Sequence, residues 1–194
     1  MFGPLVGYGY LPRYTGPHPN LLGCMIGREV PTRWEEYAFV LDTLQEMPRG
    51  GVLDAGCGFD PQHHLLPLIL GNLGCGVTGM DADSRVVQMT PHSRVQWVRG
   101  DIRDTGLPDA SVDYYCCVSV LEHLSGADLY ATLTEATRIL KPGGLLCATA
   151  DWLPAHFLAH AIERCGLNPG SEVPMSGEHL DPMVTWVRAQ KATG

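Results

Sequence analysis

Short, nearly continuous apolar runs alternate along this chain with segments whose apolar positions recur every three or four residues. The runs lie at 52–55, 76–80, 95–98, 112–118, 145–150 and 184–188, and each has the length of a buried strand. Between them, Trp34, Tyr37, Ala38, Leu41 and Leu44 mark one helix, with Glu35, Glu36, Asp42 and Glu46 on its polar side. Thr32 is placed to cap that helix and Glu35 to complete a capping box, while Pro48, Arg49 and Gly50 stop it. A second helix is predicted over 61–73, apolar nearly all round, with Pro61 in its first turn and Pro67 forcing a kink or an early break. Further helices are predicted over 128–140 and 155–165. Strands joined by helix-length crossovers imply a mainly parallel sheet covered on both faces.

The chemistry gathers where strands end. Val52-Leu53-Asp54-Ala55-Gly56-Cys57-Gly58 delivers a carboxylate and then two glycines at a strand-to-helix turn, where Gly56 and Gly58 admit a ligand close to the main chain. The next runs end in Asp81 and, through Arg99-Gly100, in Asp101; the fourth leads into Ser119-Val120-Leu121-Glu122-His123. Leu140-Lys141-Pro142-Gly143-Gly144 follows as a turn ahead of the fifth strand. In that order these five signals resemble the class I S-adenosylmethionine-dependent methyltransferases, in particular their small-molecule branch, over about residues 50–150. The resemblance implies a Rossmann-like, doubly wound, mainly parallel seven-stranded sheet flanked by helices, and a methyl transfer from S-adenosylmethionine that leaves S-adenosylhomocysteine.

Open α/β sheets bind ligands beyond the carboxyl ends of their strands, where Asp54, Asp81, Asp101 and Ser119 all stand. Asp54 can orient the glycine turn, which contains Cys57, or meet a ligand ammonium; Asp81 can accept from two ribose hydroxyls. Asp101 can accept from an adenine amino group, with Ile102 against the ring. The resemblance adds Met80 and Ala82 beside that pocket, and Asp151 and Trp152 where relatives place acceptor contacts. His123 is the candidate general base, should the acceptor need one. A dinucleotide oxidoreductase is the competing reading of the first loop, but the third glycine of GxGxxG is missing, and Asp60-Pro61 stands where a pyrophosphate needs donors. A regulatory module, or a cofactor-using enzyme of another reaction type on this fold, stays open beside the transferase.

Composition narrows the partners. A net charge of −8, with 13 Lys and Arg scattered along 194 residues, argues against nucleic acid as a partner. Ser119-Val120-Leu121-Glu122 stands where nucleic-acid amino-methylating enzymes of this fold carry an NPPY-like tetrad, so the resemblance implies a small or medium-sized acceptor. No apolar stretch reaches the ~20 residues of a membrane span, so no membrane partner is expected and the protein reads as cytoplasmic. Seven cysteines without a CxxC pair and eight histidines without HExxH spacing give no metal site. Cys116 and Cys117 should point to opposite faces of the sheet. The chain reads as a single domain over 1–194. Residues 1–31, rich in Gly and Pro but carrying Tyr8, Tyr10 and Tyr14, are expected to form a lid or strap; the 174–182 loop with His179 is the other lid candidate.

Overall fold

The computed structural model describes residues 34–45, 50–60, 65–169 and 184–193. The expectations for segment 1–31, the Thr32 cap, Pro61 and the 174–182 loop lie outside the described residues. Helix α1 (Trp34–Gln45) precedes β1 (Gly51–Ala55), α2 (Leu66–Asn72), β2 (Gly76–Asp81), a 3-10 turn (Ser84–Gln88), β3 (Val95–Arg99) and β4 (Val112–Val118). A second 3-10 turn (Leu121–His123) leads into α3 (Gly126–Ile139), β5 (Leu140–Asp151), α4 (Ala155–Arg164), β6 (Leu167–Pro169) and β7 (Val184–Lys191).

The strands form a seven-stranded sheet in the order β3-β2-β1-β4-β5-β7-β6. Strands β1 to β5 run parallel, and β7 is antiparallel to both β5 and β6. Side-chain alternation gives the sheet two apolar faces. On one, Leu53, Tyr115, Cys117, Leu146 and Ala148 pack beneath Leu129 and Leu133 of α3 and Leu158 and Ile162 of α4. On the other, Val52, Val77, Tyr114, Cys116 and Cys147 pack beneath Tyr37, Val40 and Leu41 of α1 and Leu66, Ile69 and Leu70 of α2. Cys116 and Cys117 therefore serve opposite cores, as their adjacency on one strand requires.

Three local features depart from the sequence reading. Pro67 neither kinks nor breaks α2: the helix starts at Leu66, so the proline sits in the first turn, where its missing N–H has no helical partner to lose. The Lys-Pro-Gly-Gly stretch is not a turn ahead of β5 but part of it. Leu140 pairs with Val112, the register shifts before Tyr114 meets Leu145, and Gly143 takes up the irregularity at φ 80°. Glu36, expected on the polar side of α1, is buried at 7% exposure. Its spacing four residues before Val40 places it in the apolar stripe.

Candidate functional site

Because β1 to β5 are parallel, their carboxyl ends fall along one edge of the sheet. The order of the strands arranges the exits as Asp101, Asp81, Asp54 with Gly56, Ser119 and Asp151. Asp54 is buried at the end of β1. Gly56 follows at φ 73° and Gly58 at φ 71°, both in the left-handed region that side chains other than glycine avoid. A Cβ on Gly56 would lie 2.5 Å from Val120 Cγ2, so the turn is pressed against the β4 exit.

The glycine turn is bound to β2 by its own amides. The N–H groups of Gly56 and Cys57 both donate to the Met80 carbonyl, at 2.8 and 3.0 Å. The Gly58 N–H donates to Asp81 Oδ2 at 2.9 Å, and Asp81 Oδ1 accepts from the Asp83 N–H at 2.8 Å. The Asp81 carbonyl accepts from Gly100, at the β3 exit, at 2.9 Å. Asp81 thus joins three loops, and each carboxylate oxygen keeps a second lone pair for a ligand. Over the outer side of the turn, Arg85 lies 3.6 Å from the centroid of the Phe59 ring. Arg85 also pairs with Asp83 at 2.7 Å, which holds that carboxyl down at about 2.

Cys57 lies within the turn but is buried, and its thiol is pushed far up by that burial and then by the Asp54 and Asp81 charges. That environment keeps the thiol protonated and so does not activate it as a nucleophile. Ala82 is exposed beside Asp81, and its carbonyl accepts from Arg99 Nε at 3.2 Å. Ile102 is half-buried against the core under α3.

Asp101 is already engaged. Arg103 reaches it through Nε at 2.9 Å and Nη2 at 2.6 Å, the Arg103 backbone N–H adds a 2.9 Å bond, and Arg103 Nη1 pairs with Asp128 at 2.6 Å. The guanidinium holds the Asp101 carboxyl below its usual range. Nothing in the sequence singled out Arg103 as this partner.

At the β4 exit, Ser119 has φ 49°, an unusual angle for serine. Its hydroxyl donates to Glu36 Oε2 at 2.6 Å and its N–H to the Thr149 carbonyl at 3.0 Å. The next turn leaves neighbouring side chains in different surroundings, although His123 Nε2 lies 3.9 Å from Glu122 Oε1. His123 stands on the surface at 73% exposure, whereas Glu122 turns inward at 10%, its Oε2 buried without a hydrogen-bond partner among the described residues. Burial raises the Glu122 carboxyl; the amides of Glu122 and Asp151 and the His123 ring act against that shift. The sequence reading named the exposed member of this pair and passed over the buried one. At the β5 exit Trp152 has φ 61° and is 73% exposed. Among the described residues no group of three His, Cys, Asp or Glu could hold a metal ion, and no helix is long and apolar enough to cross a membrane.

The profile of a methyltransferase domain matches residues 53–148, from the first strand through the fifth. A probable S-adenosylmethionine-dependent methyltransferase of Mycolicibacterium smegmatis is 32% identical over 133 residues, which cover 66% of this chain and 44% of that one. The chain spans between about a third and a half of the curated relatives it matches. Among solved structures, the 1,6-didemethyltoxoflavin-N1-methyltransferase of Burkholderia thailandensis, with S-adenosylhomocysteine bound, superposes with a TM-score of 0.63 at 18% identity, covering 81% of this chain and 77% of its own. The 4+2 cyclase SpnF superposes with a TM-score of 0.65 at 16% identity, covering 86% and 85%. At those identities the two superpositions establish the fold. With the profile match and the ordered strand exits, the chain belongs to the class I S-adenosylmethionine-dependent methyltransferases, a family of enzymes whose cofactor is S-adenosylmethionine.

Proposed function

We propose that this chain transfers the methyl group of S-adenosylmethionine to an oxygen or nitrogen of a small or medium-sized acceptor in the cytoplasm. The observation that carries the reading is the use of the glycine-turn amides. Three of them donate within the fold, to Met80 and Asp81, and so cannot form the donor cradle that a pyrophosphate requires. A ligand without phosphate, bearing an ammonium and a ribose, suits the buried Asp54 and the remaining acceptor capacity of Asp81. Asp101 with Ile102 would take the adenine, Ala82 and Cys57 would flank the nucleoside, and Ser119 would face the methionine end.

When bound, S-adenosylmethionine supplies a methyl group already activated by a positive sulfur. The chain's own residues then need to orient the acceptor and exclude water. Trp152 and Asp151, at the β5 exit, would meet an acceptor. His123, with its ring at the surface, can take a proton only from an acceptor that reaches the rim.

The test is calorimetric titration with S-adenosylhomocysteine and NAD, followed by radiolabelled methyl transfer to a panel of phenols, carboxylates and amines. Binding of S-adenosylhomocysteine and label in an acceptor are expected. Tight NAD binding without S-adenosylhomocysteine binding would overturn the reading. The same fold in a cyclase gives the alternative its shape: cofactor binding together with acceptor conversion that leaves the methyl group in place would point to that class instead.

A further inference from the structure

Glu36 is a buried carboxylate on a helix whose core contacts include Tyr37, Val40 and Leu41. Desolvating such a group is unfavourable unless it is well hydrogen-bonded, and a buried polar cluster of this kind can commonly be replaced by apolar residues without loss of stability. Its partners are therefore informative. Glu36 Oε2 accepts from Ser119 Oγ at 2.6 Å and also from Thr149 Oγ1. Thr149 holds Ser119 a second time, its carbonyl and Oγ1 accepting from the Ser119 N–H at 3.0 and 3.1 Å. Ser119 is thus restrained at its amide and at its hydroxyl while its backbone sits at φ 49°. A strained angle of this kind persists where its surroundings over-determine it.

We propose that Glu36 is a positioning residue for the cofactor. Acting through Ser119, it fixes the β4 exit in a single arrangement facing the methionine end, and it ties α1 to the occupancy of the site. The proposal rests on the cofactor reading above. Helix α1 lies over the face of the sheet that carries Thr149, so a ligand that stabilises Ser119 also stabilises the Glu36 contact, and by linkage the helix that bears it.

The experiment is calorimetric titration of the full chain with S-adenosylhomocysteine, with hydrogen exchange of the α1 amides measured with and without that ligand. Glu36→Ala and Ser119→Ala are each expected to weaken binding about tenfold, and the double variant no further, since both remove the same restraint. Glu36→Gln keeps an acceptor oxygen and is expected to stay within about threefold of the unaltered chain. S-adenosylhomocysteine should slow α1 exchange in the unaltered chain but not in Ser119→Ala. Unchanged affinity in Glu36→Ala with a lowered thermal midpoint would overturn the proposal in favour of a purely structural contact, and so would additive losses. If Glu36→Ala does not fold, Ser119→Ala decides: an α1 response equal to that of the unaltered chain refutes the coupling. Failure of the unaltered chain to bind S-adenosylhomocysteine would remove the cofactor reading and this proposal together.

Discussion

Gly58 and Asp81 stand 23 residues apart in the chain and are joined directly, the Gly58 N–H donating to Asp81 Oδ2 at 2.9 Å. The carboxylate proposed to bind ribose is therefore also the group that closes the glycine turn onto β2. Asp81→Ala removes both contacts and should weaken S-adenosylhomocysteine binding by ~1–3 kcal/mol. Asp81→Asn should lose a similar amount, because its amide nitrogen would confront one of the two backbone donors. Calorimetric titration of both variants checks this, and an Asn variant that binds as tightly as the unaltered chain would contradict it.

Gly56→Ala should destabilise the fold as well as the site. The added methyl meets Val120 Cγ2 at 2.5 Å, a short branched side chain with little freedom to move, and the φ of 73° adds strain of roughly 1–3 kcal/mol. A fall of roughly 5–10 °C in the thermal midpoint is expected. Gly76→Ala, where nothing lies within 4 Å of the added atom, serves as the control and should show no comparable fall.

Glu135 gives the fold an acid limit. Its Oε1 accepts from Thr105 N–H at 2.8 Å, Thr105 Oγ1 at 2.6 Å and Arg138 Nη2 at 2.7 Å, and Arg138 Nε meets Oε2 at 2.8 Å. These contacts, Arg138 foremost, hold the buried carboxyl at about 2, below its ordinary 4.5. A carboxyl lowered in the folded state stabilises it above pH 4.5, and that contribution is lost as pH falls from about 4.5 to 2. Urea titrations across this range should show the loss in the unaltered chain and a flatter profile in Glu135→Gln. Arg138→Met, which strands the buried charge, should be destabilised at neutral pH by on the order of 3 kcal/mol.

Glu122 has the opposite sign. Its carboxyl is raised in the folded state, so folding is favoured below the unfolded carboxyl range and loses that advantage as pH rises through the folded value. Glu122→Gln should therefore be more stable relative to the unaltered chain at pH 7 than at pH 4. Denaturant midpoints at the two pH values test it, and a difference independent of pH would contradict it.

The strands were legible because burial on both faces leaves a signature that survives in sequence: 112–118 reads as an apolar run and folds as one. The row of exit residues was legible for the same reason, since each closes such a run. Glu36 was missed because a charged residue on a helix reads as exposed, although its spacing with Val40 pointed inward. The capture of Asp101 by Arg103 depends on the path of a short loop, which apolar periodicity does not encode. The orientations of Glu122 and His123 depend on a single 3-10 turn, and residue type alone favoured the histidine. Pro67 was misread because periodicity does not fix where a helix starts: with α2 beginning at Leu66, the proline taken as interior falls in the first turn.

The position of β7 between β5 and β6 has a consequence for the order in which the sheet can assemble. β6 precedes β7 in the chain and, among the described residues, pairs with β7 alone, so it reaches the sheet only through the pairing of β7 with β5. The five parallel strands can associate as the chain emerges, while this edge waits for a contact that spans most of a crossover and returns antiparallel. A chain interrupted before Val184 would forfeit two strands instead of one, and would leave the hydrogen-bonding edge of β5 open to strands from other molecules.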